Sequence, residues 1–144
     1  MSNPTSNFNW QMPTTTDLVT DLPADFEVFG QAVDNTVAIY TTEMAFNAQT
    51  GTTYTLVVGD LGKWVTCSNA SAITVTIPPS VFATGNTINV QQIGAGQVTF
   101  AQGAGVAITS TGATASAPKL RTQYSGSTVV CTGSNAFTIV GDLA

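Results

Sequence analysis

The chain has no histidine and only three lysine or arginine residues among its 144 positions. Without histidine, no Ser-His, Cys-His or His-zinc arrangement can form, so the commonest general base and metal ligand are missing. The formal net charge of −5 argues against a nucleic-acid-binding protein, which would carry a basic surface. Charged residues make up 8% of the chain, well below the usual share of about 25%. This composition disfavours both intrinsic disorder and an ordinary soluble helical enzyme.

Cysteines and long apolar runs are also scarce. Cys67 and Cys131 allow at most one disulfide, and their strand-like surroundings favour two buried free thiols. No apolar run reaches the length of about 18 residues that a membrane span needs. The first residues lack the basic and apolar regions of a secretion signal. We therefore expect no membrane association, and synthesis in a cytoplasm, where thiols stay reduced.

What the sequence does contain is threonine, with 25 residues, and glycine, with 13. Threonine favours strands and glycine favours the turns between them, so the composition predicts a β-rich protein. Charge is unevenly placed, because all six charged residues of positions 1–50 are acidic, whereas positions 51–144 have a slight positive balance. Such asymmetry is typical of two segments in different environments.

Residues 1–20 are predicted to form an extended arm. Pro4 and Pro13 disfavour a helix, while Phe8, Trp10 and Met12 are spaced two apart and would point to one side of an extended chain. The alternative is a disordered tail with chance aromatic residues. We favour an arm whose apolar side chains enter pockets on a neighbouring subunit.

Residues 21–39 are predicted to form a helix, with Asp21 as N-cap and Pro23 in the first turn. Its apolar residues recur at steps of three and four along one stripe, namely Leu22, Phe26, Phe29, Val33 and Val37. The stripe either covers the following domain or meets copies of itself or a partner, and the sequence favours neither possibility. Residues 21–45 are therefore assigned to a short helix and linker.

From about residue 50 the pattern changes to short alternating segments separated by turn residues every 8–12 positions or so. This pattern predicts a small antiparallel β-sandwich or jelly roll over residues 46–144. One of its strands is placed at Lys119–Tyr124. Its predicted interior residues are Tyr54, Leu56, Trp64, Ile73, Val75, Ile77, Ile88, Val90, Val98, Phe100, Val106, Ile108, Leu120, Tyr124, Val129, Cys131, Phe137 and Ile139.

Three groups of residues could suggest chemistry. Asp17, Asp21 and Asp25 are spaced four apart, but Pro23 interrupts them and acidic residues are ordinary at a helix start, so a metal or catalytic role is disfavoured. The glycine pairs in 94–96 and 103–105 lack the rest of a phosphate-loop motif and are interpreted as hairpin turns. Lys63, Lys119 and Arg121 could form a positive cluster that receives the acidic arm of a neighbouring copy. We expect no enzymatic activity, no metal and no cofactor.

Two stretches resemble known proteins. The opening NFNWQMPTTTDLVTDLPADFEVFGQAVDNTVA resembles the N-terminal segment of structural proteins of tailed bacteriophages. The remainder, from TYTLVVGDLGKWVTCSNASAITVTIPP through VQQIGAGQVTFAQGAGVAI to KLRTQYSGSTVVC and FTIVGDLA, resembles a small β module of phage head-fibre, capsid-decoration and minor tail proteins. The resemblance implies a non-enzymatic virion protein, usually trimeric. A large receptor-binding domain of the tail-fibre kind is not seen, which favours a decoration protein or short head fibre.

The expected function is therefore to bind the major capsid protein on the virion surface as a homotrimer anchored by its arm, with avidity from several copies adding to the binding. Expected partner-binding residues are Phe8, Trp10, Met12, Pro13, Asp17 and Asp21, and expected oligomer contacts are Phe26, Phe29, Val33, Lys119 and Arg121. A minor tail or baseplate protein is the first alternative. A glycan-binding adhesion module is the second, and it would require exposed aromatic residues, whereas Trp64 and Tyr124 fall within strand patterns.

Overall fold

The computed structural model describes residues 22–42, 44–110 and 116–144. The chain divides into two compact units, Met1–Glu43 and Met44–Ala144. The predicted arm, with Phe8, Trp10, Met12, Pro13, Asp17 and Asp21, lies outside the described residues. No helix in the described part of the chain is long and apolar enough to cross a membrane.

The described part of the first unit is one helix, α1, over Leu22–Thr42. The predicted helix is confirmed, with an end three residues later than position 39. Its side chains are only partly covered: Phe26 is 58% exposed and Val28 59%, whereas Phe29 and Val33 are half-buried. The helix therefore presents apolar surface as well as polar surface.

The second unit is a parallel β-solenoid of about three turns, so the predicted antiparallel sandwich or jelly roll is wrong. Its strands are β1 Ala45–Gln49, β2 Thr53–Thr55, β3 Lys63–Cys67, β4 Ile73–Ile77, β5 Thr87–Gln92, β6 Val98–Gln102, β7 Ala107–Ser110, β8 Gly126–Gly133 and β9 Ala136–Gly141. A six-stranded sheet has the order β1-β3-β5-β8-β9-β7, and a three-stranded sheet has the order β2-β4-β6.

The solenoid arises because the strands from β1 to β6 alternate between the two sheets. The pairs β1–β3, β3–β5, β2–β4 and β4–β6 are all parallel. The register steps are unequal, since Ala45 aligns with Lys63 whereas Trp64 aligns with Asn89. A fixed sequence repeat is the usual signal of a solenoid. Because the coils differ in length, this sequence contains no such repeat.

The glycine pairs that were predicted to be hairpin turns are corners between the sheets. Gly94 and Gly96 lie between β5 and β6, which belong to different sheets. They stack on the preceding corner, where a Cβ on Gly96 would lie 1.8 Å from the carbonyl oxygen of Ser71. Asn69 ties this corner to the first coil, because its side-chain amide donates to the carbonyl oxygen of Thr50 at 2.6 Å. Glycine is thus required here by close backbone approach.

The C-terminal end of the solenoid is closed by antiparallel structure. Strand β8 pairs antiparallel with β5, and β9 pairs antiparallel with β8. The predicted strand at Lys119–Tyr124 is wrong, since this segment makes only isolated bridges, Thr99 with Lys119 and Leu120 with Leu143, before a turn. These contacts cover the β6 side of the last coil.

The core lies between the two sheets. Its buried apolar residues are Leu56, Val65, Cys67, Ile73, Val75, Ile77, Phe82, Ile88, Val90, Val98, Phe100, Val106, Ile108, Leu120, Val129, Cys131, Phe137, Ile139 and Leu143. Most predicted interior residues are confirmed, but Trp64 and Tyr54 are half-buried and Tyr124 is 66% exposed. In β3 the inward face carries Val65 and Cys67. Apolar residues occur on both faces of KWVTC, so alternation alone could not show which face of the strand points inward.

The first coil has a polar cluster beside the buried Leu56. The carboxyl group of Asp60 is fully buried and accepts hydrogen bonds from Asn47 Nδ2 at 2.6 Å, from the Tyr54 hydroxyl at 3.0 Å and from the Val57 amide at 2.8 Å. Burial raises the pKa of Tyr54, and the bond to Asp60 raises it further. This polar cluster, made by Asn47, Tyr54 and Asp60, lies in the first coil and borders the apolar core, against which Tyr54 packs.

The two cysteines are free and buried, as expected. Cys131 Sγ lies 3.3 Å from the carbonyl oxygen of Gly133 and 3.6 Å from that of Phe82. Burial raises the pKa of Cys67 to about 11. Its thiol is therefore protonated, and poorly nucleophilic, at neutral pH.

The raised pKa of Cys67 predicts a loss of stability at alkaline pH. An unfolded thiol ionises near pH 8.5, roughly, whereas the folded one keeps its proton to about pH 11. The stabilisation is therefore complete below the lower value and is lost progressively as the pH rises from the lower value to the upper one, by at most about 3 kcal/mol. Urea unfolding at about pH 7.5 and about pH 10.5 measures this loss. Cys67→Ala should show a smaller decrease between the two pH values, and an equal decrease would contradict the assignment to Cys67.

Candidate functional site

A row of outward-facing side chains crosses five strands of the six-stranded sheet. The register places Phe46 beside Trp64, Trp64 beside Asn89, Asn89 beside Thr128 and Thr128 beside Val140. Phe46 is 72% exposed. Phe46 and Trp64 are the large side chains at one end of the row, and Asn89, Thr128 and Val140 are smaller, which leaves a concave centre beside Trp64.

The concave centre is a trough with a volume of about 290 Å³. Its lining residues are Trp64, Asn89, Gly126, Ser127, Thr128, Val140 and Gly141. Trp64 on β3 and Val140 on β9 form the walls, and three strand spacings of about 4.8 Å separate those strands by roughly 14 Å. Gly126 has no side chain to fill the floor. Gly141 allows β9 to approach β8 closely, since a Cβ there would lie 2.5 Å from the Gly126 carbonyl oxygen.

The floor of the trough carries hydrogen-bonding groups with spare capacity. The Thr128 hydroxyl donates to Asn89 Oδ1 at 2.8 Å and keeps its own lone pairs as acceptors. Asn89 Nδ2 lies 4.0 Å from the sulfur of Met44, which is a weak acceptor. Among the described residues, three buried side-chain atoms have no hydrogen-bond partner, and one of them, the indole Nε1 of Trp64, belongs to an outward-facing residue that lines the trough. The other two are Ser110 Oγ and Ser127 Oγ, and Ser127 is on the inward face of β8 with Val129. Unpaired buried polar atoms are uncommon in folded proteins and call for an explanation.

The outer face of the six-stranded sheet has no ionisable side chain. The six strands contain one charged residue, Lys63, and it shares the orientation of Val65 and Cys67 on the opposite face. Threonine is frequent on the outer face, as in Thr66 and Thr138. The face is therefore neutral in a chain whose net charge is −5.

Next to the trough, a turn holds an exposed aromatic side chain. Tyr124 has φ +69, which is rare for an aromatic residue and costs about 1–3 kcal/mol. Its amide donates to the Gln92 carbonyl oxygen at 2.7 Å, and two residues later Gly126 lines the trough. Strained residues of this kind are concentrated at functional sites.

Asp142 holds that turn through two side-chain contacts. It accepts a hydrogen bond from the Ser125 hydroxyl at 2.7 Å and pairs with Arg121 Nε at 2.9 Å. The ion pair is exposed, so it contributes about 1 kcal/mol or less. The positive charge of Arg121 is thus engaged by a carboxylate of its own chain.

The predicted contact residues come from both units of the chain. Phe26, Phe29 and Val33 lie on α1, and Lys119 and Arg121 lie at the C-terminal end of the solenoid. The structure does not test their role as oligomer contacts. The row described above was not predicted from the sequence, because the coil register aligns Phe46 with Trp64 and no local pattern shows this alignment. Within the described ranges, no group of three or more aspartate, glutamate or cysteine residues could hold a metal ion.

No known family model matches the chain, and no curated protein is similar enough to count as a relative.

Proposed function

We propose that the chain is a non-enzymatic structural protein of a tailed-phage virion, which binds the assembled capsid as a decoration protein or short head fibre. The sequence resemblance to phage virion proteins supports this function. In the structure, the observation that carries it is the exposed apolar surface of α1, where Phe26 and Val28 are more than half exposed. Exposed apolar residues of this size are typical of surfaces that pack against another macromolecule.

The division of the chain supports attachment through its N-terminal part. The first unit contains α1, and the charges of residues 1–50 are all acidic, which suits a basic partner surface. The second unit has its own core between two sheets and can be carried outside the shell. We propose the major capsid protein as partner and a homotrimer as the assembled form, with Phe26, Phe29 and Val33 among the contacts between copies.

The mechanism is stabilisation by binding. A protein that binds assembled capsid subunits and not loose ones stabilises the shell by its binding free energy. Burying each aromatic residue contributes on the order of 1.5–3 kcal/mol, and several linked copies increase the total through avidity.

Replacing Phe8, Trp10 and Met12 together by serine should abolish capsid binding. Loss of these apolar anchors should weaken the interaction by at least about a hundredfold, since tenfold corresponds to about 1.4 kcal/mol. Co-sedimentation of the full chain with assembled capsids measures the effect. Thr53→Val, an exposed change on the three-stranded sheet, is the control and should bind normally. Undiminished capsid binding by the triple variant would refute the role of the arm as anchor. If the unmodified chain bound purified tails and not capsids, it would be a tail protein.

A further inference from the structure

The trough on the six-stranded sheet offers an aromatic side chain and hydrogen-bonding groups that have no role in attachment through the N-terminal unit. We propose that it binds an uncharged sugar ring of a polysaccharide, which packs against Trp64 and forms hydrogen bonds with Asn89 and Thr128. The proposal goes beyond the function proposed above and does not depend on it.

Charge selects the class of ligand. The lining of the trough has no ionisable side chain, and neither has the surrounding outer face of the sheet. An anionic or cationic ligand would lose its hydration there without gaining an ion pair, which is costly. A neutral ligand avoids this cost, so an uncharged saccharide fits and an acidic one does not.

Hydrogen-bonding capacity narrows the class further. The Asn89 amide nitrogen can donate two hydrogen bonds, and within the described residues its contact is the weak one to the Met44 sulfur. The Thr128 hydroxyl already donates to Asn89, so it is set to accept. A donor and an acceptor on adjacent strands match a ligand with neighbouring hydroxyl groups, each of which can both donate and accept.

Size and aromatic surface complete the match. The volume of about 290 Å³ lies just below the range for small-molecule sites, about 300–1,000 Å³, and suits one ring better than a large ligand. The half-buried Trp64 offers an aromatic wall, and the exposed Tyr124 is held in a strained conformation two residues from Gly126. The open form of the trough allows a longer chain to continue beyond the bound ring.

The test is affinity electrophoresis of the full chain in native gels that contain dextran, mannan or galactan, with hyaluronan as the acidic comparison. We expect at least one neutral polysaccharide, and not hyaluronan, to retard the protein. Thr128→Val and Asn89→Ala should each weaken the retardation at least about tenfold, while Thr53→Val, the same exchange on the other sheet, should leave it unchanged. Circular dichroism and thermal unfolding establish that each variant is folded.

Two results would overturn the proposal. The first is that no neutral polysaccharide retards the protein. If Thr128→Val and Asn89→Ala then reduced self-association of the chain, the trough would be a contact between copies and not a sugar site. The second is retardation that folded Thr128→Val and Asn89→Ala variants retain. Capsid co-sedimentation of these variants separates the two proposals, because the N-terminal anchor is intact in both.

Discussion

Asp60→Ala should lower the free energy of unfolding of the solenoid unit by about 3–5 kcal/mol. The fully buried carboxyl group accepts hydrogen bonds from Asn47, Tyr54 and the Val57 amide, and alanine would leave all three donors without it. Each buried donor that loses its partner costs about 1–3 kcal/mol, and hydrogen bonds to charged groups are the stronger ones. Tyr54 is only half-buried, so water can replace part of its bond and the costs do not simply add.

Urea unfolding at neutral pH measures this loss, with two matched variants as controls. Asp60→Asn keeps the shape and one acceptor oxygen, and should cost less than Asp60→Ala. Tyr54→Phe removes one of the donors and leaves Asp60 with Asn47 and Val57, so it should cost least. A loss below about 1 kcal/mol for Asp60→Ala would show that the polar cluster does not stabilise the first coil.

Gly96→Ala is the second change with a large expected effect, about 3 kcal/mol of destabilisation. The added methyl group would lie 1.8 Å from the Ser71 carbonyl oxygen, so two stacked corners must separate. Backbone cannot rotate away as a flexible side chain can, which places the cost at the upper end of the range for overpacking. Separation would also weaken the hydrogen bond from the Gly96 amide to the Asn69 carbonyl oxygen, 2.8 Å long in the native corner.

Gly59→Ala provides the matched control. An alanine Cβ there meets the Val57 side chain at 3.9 Å, an ordinary contact, so the free energy of unfolding should change by about 0.5 kcal/mol or less. Thermal or urea unfolding of the two variants side by side is decisive. If Gly96→Ala were as stable as Gly59→Ala, the corners could not be stacked as closely as the solenoid requires.

Local structure was largely predictable from the sequence. Residues 73–77, ITVTI, alternate between buried and half-buried positions as their pattern predicts, and the stripe of α1 identified the helix. These features depend on neighbours within a few positions, so periodicity reveals them. The fold class was not predictable in this way, because alternation is the same in a solenoid coil and in an antiparallel sandwich.

The arrangement of the strands depends on the corners. A glycine pair such as Gly94 and Gly96 serves a hairpin or a stacked corner equally well, and the difference is whether Asn69 and Ser71 lie against it. Register steps from Ala45 to Lys63 and from Trp64 to Asn89 are unequal, so no repeat marks the coils. The trough was missed for the same reason, since its residues come from four strands that only the coil register aligns.

Tyr124 shows the opposite failure. Its position in KLRTQY suggested a buried strand residue, but the segment forms a turn that Asp142 holds through Ser125. The hydrogen bond that holds this turn therefore comes from Asp142, which is 17 positions away from Ser125. An exposed aromatic residue was the missing requirement of the glycan-binding alternative, and the structure supplies it.

The proposed virion function is tested most directly by the copy number of the chain in purified phage particles. Quantitative mass spectrometry against the major capsid protein gives this number. A capsid decoration protein should be present in many copies, in a fixed ratio to the major capsid protein, and should be lost from particles assembled with the Phe8, Trp10 and Met12 triple variant. A few copies that purify with tails, or no copies at all, would contradict the account.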